Sequence, residues 1–256
     1  MSEKSPVICH RAFCLPNEHR CDTMNRVNEM IEPIAYIETD FKEKFGIPRQ
    51  SGQADSLVGR VVFLPKYRDP QALRGIEGFS HLWLLFDFSE SHRGDWSPTV
   101  RPPRLGGNTR VGVFATRSPF RPNSIGLSSV RLLRMEQTEH EGKVLVVAGV
   151  DLLDHTPIYD VKPYIPYFDS HPEAVGGYTD ETHTYRLTVQ AESSLLDLLP
   201  SDKRQAAIEC LSCDPRPAYQ NDPTRVYKMS FAGFCLSFSV SGNVLTVMQV
   251  EKEKEQ

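Results

Sequence analysis

Long hydrophobic runs are missing from this 256-residue chain. No stretch approaches the ~18 apolar residues that a membrane-spanning helix needs. The opening segment, MSEKSPVICHRAFCLPNEHRC, has no continuous apolar core of the kind that directs secretion, so a cytoplasmic location is the expectation. Six cysteines are too few and too scattered for a disulfide framework in a chain this long, and free thiols are expected. There is no G-x-G-x-x-G and no Walker A motif, which leaves ordinary dinucleotide and P-loop sites without support. There is no G-x-S-x-G, so a serine-hydrolase elbow is equally unsupported. His155 and His171 lack the paired spacing of metal ligands, and the C-x4-C-x6-C run through Cys9, Cys14 and Cys21 matches no strong zinc pattern; no metal is expected.

Positive charge is scarce overall but concentrated locally. The formal net charge is −4, which argues against a protein that coats nucleic acid through bulk charge. Between Arg93 and Arg134, however, eight arginines stand against one acid, Asp95, with no lysine at all, a local excess of +7. Arginine without lysine suits directed contacts better than solubility.

What is present reads as mainly β. Alternating or apolar segments over 34–37, 57–64, 82–88, 125–135 and 143–150 predict strands, and 160–167 is extended and broken by prolines. The 82–88 run, LWLLFDF, is apolar on both faces, as in a buried central strand. Asp69 followed by Pro70 predicts a capped helical turn. Past residue 175 the pattern changes to a strand over 182–190, a helical turn over 194–199, a helix over 201–213 and a hairpin, 231–240 with 243–250, turning at Ser241-Gly242-Asn243. The expected organisation is a disordered extension over 1–29, a β domain over 30–175 and a small α+β C-terminal domain over 176–256. Strands that do not alternate with long helices suit a barrel or sandwich, not a doubly wound sheet.

The chain is organised around GVFATRSPFRPNSIGL, residues 112–127. Val111, Val113 and Ala115 predict a strand that approaches a polar loop, in which Pro119 and Pro122 stop ladder pairing. Arg117 and Arg121 in such a loop suggest an anionic ligand. Other polar clusters fall at strand ends: Pro48-Arg49-Gln50, Ser80-His81 and Asp151-Leu152-Leu153-Asp154. Converging there, they would line a polar pocket at one end of a β domain. Cys210-x-x-Cys213 lies late in a helix without a preceding βαβ unit, which favours core packing over redox chemistry. Asp214-Pro215-Arg216-Pro217-Ala218-Tyr219, with Arg225 and Tyr227, reads either as an arginine–tyrosine surface for RNA or as a proline-fixed connection.

FGIPRQ (45–50), GFSHLWLLFDF (78–88), GVFATRSPFRPNSIGLS (112–128), DLLDHTPIYDVKPY (151–164) and DPRPAY (214–219) resemble, in order, the motifs of the TrmO family, also called TsaA or YaeB. The likeness covers about residues 31–250. It implies a single non-Rossmann β-barrel methyltransferase domain that uses S-adenosylmethionine to methylate N6 of threonylcarbamoyladenosine at position 37, next to the anticodon of threonine tRNA. It implies a cytoplasmic homodimer, with the cofactor near the subunit interface and tRNA, not DNA, as partner. The family's cofactor positions fall on Pro48, Arg49, Gln50, Ser80, His81, Arg117, Leu127, Asp151, Leu152, Leu153 and Asp154. Asp154 and Asp160 are candidates for a base near N6. Arg121, Asn123, Lys162, Arg216, Tyr219 and Arg225 are candidates for the substrate and tRNA side. Residues 1–29 lie outside the family pattern. Two other readings remain, a non-catalytic RNA- or nucleotide-binding β domain and a hydrolase of a small anionic molecule; the intact TRSPFRPN and DLLD blocks favour the methyltransferase over the first, and the missing metal cluster and nucleophile elbow count against the second.

Overall fold

Six strands with inward-facing aliphatic residues wrap into a closed barrel. The computed structural model describes residues 31–92, 94–105, 108–180, 185–217, 220 and 222–254. The 1–29 extension, Arg93, residues 181–184 at the start of the expected 182–190 strand, and Tyr219 lie outside the described residues. In chain order the strands are β1 (Ala35–Glu38), β2 (Val58–Phe63), β3 (His81–Asp87), β4 (Thr99–Val100), β5 (Val111–Gly112), β6 (Ile125–Thr138), β7 (Gly142–Ala148) and β8 (Thr156–Pro163). A short helix α1 (Pro166–Asp169), strand β9 (Thr188–Gln190), helices α2 (Ser193–Leu196) and α3 (Arg204–Ser212), and strands β10 (Tyr227–Phe231), β11 (Phe234–Ser241) and β12 (Val244–Lys252) follow.

The barrel runs β1-β2-β7-β6-β3-β8, and β8 pairs back onto β1, with Ala35 opposite Ile158. Every pairing in it is antiparallel. Ile37, Val61, Leu82, Leu84, Val130, Leu145 and Ile158 point inward and are at most 1% exposed. Burying each such side chain contributes about 1.5–3 kcal/mol. β3 does not have two buried faces: Leu82, Leu84 and Phe86 are buried, whereas His81, Trp83, Leu85 and Asp87 are half-buried on the outside. The large apolar Trp83 on the outside packs locally; its ring lies 5.4 Å from that of Tyr164, and its Nε1 donates to Asp169 at 3.0 Å. Gly126 in β6 allows Phe86 its place, since a Cβ there would sit 2.1 Å from the Phe86 ring.

The strand expected over 111–116 stops at Gly112. β4 and β5 make a two-residue ladder, after which Val113–Ala115 coil into a 3-10 turn. Val113 is buried, and its carbonyl accepts from both the amide and the hydroxyl of Thr116, which bends the chain away from the ladder.

The second sheet is ordered β10-β11-β12-β9, with β9 parallel to β12. α3 buries Ala206, Ala207, Cys210 and Leu211 against this half of the core, which fits the packing expectation for Cys210. Pro33–Gln256 form one compact unit, and the segment 40–56 is clamped between barrel and sheet. Asp40 pairs with Lys203 at 2.6 Å, the Phe41 and Phe231 rings lie 5.3 Å apart, and Ser56 donates to Glu209 from its amide (2.8 Å) and hydroxyl (2.9 Å). Within the segment, Gly46 takes φ +100 and passes so close to Met229 that a Cβ would lie 2.5 Å from its sulfur. The clamp fixes the path of Pro48-Arg49-Gln50. Among the described residues no helix is long and apolar enough to cross a membrane.

Candidate functional site

Three loops meet at one end of the barrel. The 48–52 turn precedes β2, the 113–124 loop leads into β6, and the 149–155 loop joins β7 to β8. Gly52 donates to the Gly149 carbonyl at 2.9 Å, which ties the first loop to the third. Arg117 donates through Nη1 to Gln50 Oε1 at 2.6 Å, which ties the second to the first. Ser128, inward-facing on β6, donates to Asp151 Oδ1 at 2.6 Å. Burial pushes the Asp151 carboxyl up to about 6, against the opposing pull of the Ser128 hydroxyl, the backbone amides of Asp151 and Ser51, and the Arg117 charge. The Arg117 guanidinium thus acts on the Asp151 carboxyl, each with its own polar support, while Leu127, one residue before Ser128, is exposed on the opposite face of β6.

Hydrogen bonds give this loop its shape. Arg121 folds back so that Nη1 donates to the Thr116 carbonyl at 3.1 Å. The Arg121 amide and the Ser124 hydroxyl both donate to the Pro119 carbonyl, at 2.9 and 3.1 Å. A bond within the loop holds Arg121, and the bond to Gln50 holds Arg117, so the two guanidinium groups have separate anchors. Asn123 is exposed beside them.

Gln50, Arg117 and Asp151 come together; Leu127 is exposed on the face of β6 opposite Ser128, and the other expected residues do not all join the three. Pro48 is buried. Arg49 turns the other way: its Nη2 donates to the Arg216 carbonyl at 3.1 Å, beside a cavity of about 640 Å³ whose wall includes Lys44, Phe45, Arg49, Arg101 and Arg216. Leu152 is 2% exposed and belongs to the core, while the Leu153 carbonyl accepts from the Thr156 hydroxyl at 2.7 Å. Asp154 accepts from the Thr39 amide at 2.9 Å and meets His155 Nδ1 at 2.8 Å, so its carboxylate braces the β1 side of the loop. Ser80 and His81 lie up the barrel: His81 pairs with Arg131, four residues, about 13 Å, along β3 from Leu85, the partner of Leu127.

Asp160 is opposite Leu85 from the β8 side and so shares the outer face with Leu127. Its carboxylate pairs with Lys162 at 2.7 Å. Arg216 is 7% exposed and forks onto Asp214 at 2.8 and 2.9 Å. Burial works to raise the Asp214 carboxyl, but Arg216 and the Tyr185 hydroxyl hold it below the usual range. Arg225 is exposed over the ring of Tyr227, 5.3 Å from its centroid. Among the described residues no three or more His, Cys, Asp or Glu side chains gather as a metal site.

Sequence reasoning passed over Ser51, Ser128 and a further group at Asp87, where His92 Nε2 lies 2.8 Å from Oδ1 and Tyr159 is a hydrogen-bond partner. Burial first, then the Asp87 charge, raises the Tyr159 hydroxyl. Ser128 had a signal: in a strand whose buried positions are Gly126 and Val130, it is the polar residue at the same parity.

The chain matches two family models, the tRNA-methyltransferase O N-terminal domain over residues 36–170 and the TrmO C-terminal domain over 184–253. It is 45% identical over 199 residues to the tRNA (adenine(37)-N6)-methyltransferase of Escherichia coli K12, covering 74% of this chain and 83% of that protein. It is 43% identical to the protein of that name from Eikenella corrodens, over 67% of this chain and 97% of that one. The crystal structure of TrmO from Pseudomonas aeruginosa superposes with a TM-score of 0.70 at 33% identity, over 87% of this chain and 96% of that one. Both halves of the chain, barrel and second sheet alike, thus find their counterparts in one group of proteins, and the chain belongs to the TrmO family.

Proposed function

We propose that the protein is a tRNA methyltransferase that transfers a methyl group from S-adenosylmethionine to N6 of threonylcarbamoyladenosine at position 37 of threonine tRNA. The observation that carries the reading is the meeting of Gln50, Arg117 and Asp151 at the start of β6, in a family whose E. coli relative is named for methylation of adenine 37. The donor set fits the proposed cofactor in its chemistry. An ionised Asp151 suits its positive ammonium and sulfonium, Arg117 suits its carboxylate, and Leu127 offers apolar cover for its adenine. When bound, the cofactor supplies a methyl group already activated by the sulfonium.

The chain then has two tasks. It positions N6 in line with that methyl group, which supplies most of the rate. It also accepts the N6 proton, because the carbamoyl group delocalises the N6 lone pair and leaves it weakly nucleophilic. Asp160 and Asp154 are the candidates for that role; the carboxylates of both are engaged, Asp160 by the Val161 amide and Lys162, Asp154 by Thr39 and His155, and Asp160 differs in sharing the outer face with Leu127. Arg121 would pair with the threonyl carboxylate, which would make recognition depend on prior modification. Ser80 and His81 lie along β3 from this cluster; in a homodimer a second copy would bring its own pair to the cofactor. The reading carries with it a cytoplasmic location and a domain boundary near residue 175.

Incubation with radiolabelled S-adenosylmethionine and threonine tRNA, with and without the threonylcarbamoyl group, tests it. Label should enter the modified tRNA alone; equal labelling of both tRNAs removes the threonylcarbamoyl requirement, and no labelling removes the activity.

A further inference from the structure

The β4–β5 ladder places two large aromatic rings in solvent. Trp96 stands before β4 and Phe114 after β5, and pairing of Thr99 with Gly112 and Val100 with Val111 brings the two ends together. The rings stack with centroids 6.0 Å apart and planes 29° from parallel, yet they remain 51% and 71% exposed. Leaving such rings in water forgoes the stabilisation of burial, so a stacked, open pair is unusual without a partner to cover it. Its surroundings say what kind of partner. Residues 94–121 hold five arginines, no lysine and one acid, Asp95. Arg110 is braced across the ladder, its Nη1 on the Thr99 hydroxyl at 2.9 Å. Arg117, three residues past Phe114, is bonded to Gln50 in the loop cluster. Exposed aromatic faces within a strongly positive, acid-poor lobe match single-stranded RNA, whose bases stack and whose phosphates are neutralised by arginine. A second copy of this acidic chain would cover the rings but would not call for so one-sided a charge.

We infer that the Trp96–Phe114 pair is a stacking platform for an unpaired nucleobase of the RNA substrate, set beside the nucleotide held at the Arg117 loop. The inference rests on the proposed tRNA reading and adds the residues that grip the anticodon loop. Because the bases stack on ring faces and not through hydrogen-bond readout, the platform contributes affinity without choosing the base.

Both side chains are exposed, so truncation should leave the fold intact. Trp96→Ala and Phe114→Ala should each weaken binding of a threonine tRNA anticodon stem-loop, followed by fluorescence anisotropy, by about ten- to a hundredfold. S-adenosylmethionine affinity by calorimetry and molecular mass by light scattering should not change. Trp96→Phe should retain most of the affinity. RNA should quench tryptophan emission in the wild-type chain, and Trp96→Phe should lose that quenching. Unchanged RNA affinity in both alanine variants overturns the platform, as does a loss of affinity that accompanies a change in molecular mass, which would make the rings a contact between copies. A wild-type chain that transfers methyl groups while the variants bind RNA normally sinks the platform alone. One that binds RNA through these rings but transfers no methyl group sinks the proposed function alone, and one that binds no RNA sinks both.

Discussion

Burial and ionisation oppose each other at Asp151, and the balance between them gives the site a pH dependence. Its carboxyl is pushed up to about 6 by burial, above the ordinary value of 3.8. The folded chain therefore holds a proton that the unfolded chain has released across this window. The contribution of the protonated form to stability is complete below about 4 and is lost as pH rises through about 6. Asp151→Asn should remove that decline, seen as a difference between the urea midpoints of the two chains across the same window. Binding of a positively charged donor runs the other way, because it needs the carboxylate. Cofactor affinity in calorimetry should rise as pH passes upward through about 6 in the wild type and stay low and flat in Asp151→Asn; a wild-type affinity that ignores this range removes Asp151 from the contact. Arg121 makes a separate prediction. Arg121→Glu should lower methylation of threonylcarbamoyl-modified tRNA tenfold or more while cofactor affinity holds, the effect expected for loss of a charge-assisted pair. Equal losses in both would return Arg121 to a purely structural role.

Among the elements, the connection from α3 to β10 depends on one buried ion pair. Arg216 and Asp214 have side chains 8% and 15% exposed. Arg216→Ala strands the Asp214 carboxylate and should cost about 3–5 kcal/mol in urea unfolding. Arg216→Lys should recover only part of this, because one ammonium cannot reproduce the fork; full recovery would show that charge alone suffices. DPRPAY was legible as a motif, but sequence could not say that its arginine is spent on its own neighbour. The same holds for DLLD, where spacing cannot tell that Asp151 turns to Ser128 while Asp154 turns to Thr39. The turn at residues 139–142 was readable because apolar alternation flanks it on both sides. The β10–β11 turn was not. It passes through Ala232 and Gly233, both at positive φ, without the Asn-Gly or Asp-Gly signature, so Phe231–Val240 looked like one strand and β10 was missed. The 111–116 strand was overextended because alternation continues through Val113 and Ala115 while the Thr116 side chain turns the backbone. Strand cores follow from pattern; loops that carry the site are decided by side-chain hydrogen bonds that pattern does not encode.

For the molecule as a whole, the spread of the expected cofactor residues is the main geometric fact. Asp151 and Arg117 sit with the loop cluster, and His81 lies about 13 Å along β3. The homodimer proposed above would share each site across a twofold axis and so bridge that spread, and complementation tests it. His81→Ala and Asp151→Asn chains, each inactive alone, should regain about a quarter of wild-type activity when mixed in equal amounts and allowed to exchange, since half the dimers would then carry one intact site out of two. No recovery, with exchange confirmed by native mass spectrometry, would place the whole site within one chain. The second sheet has its own share in the site, because the clamps from Lys203, Glu209 and Phe231 hold the 40–56 segment that presents Gln50. Nucleoside mass spectrometry of threonine tRNA incubated with the protein and methyl-deuterated S-adenosylmethionine reads the proposed methyl transfer at its product. One deuterated methyl group should appear on threonylcarbamoyladenosine from position 37 and none on tRNA lacking the threonylcarbamoyl group; a deuterated methyl group on any other nucleoside, or on none, would rule out the proposed activity.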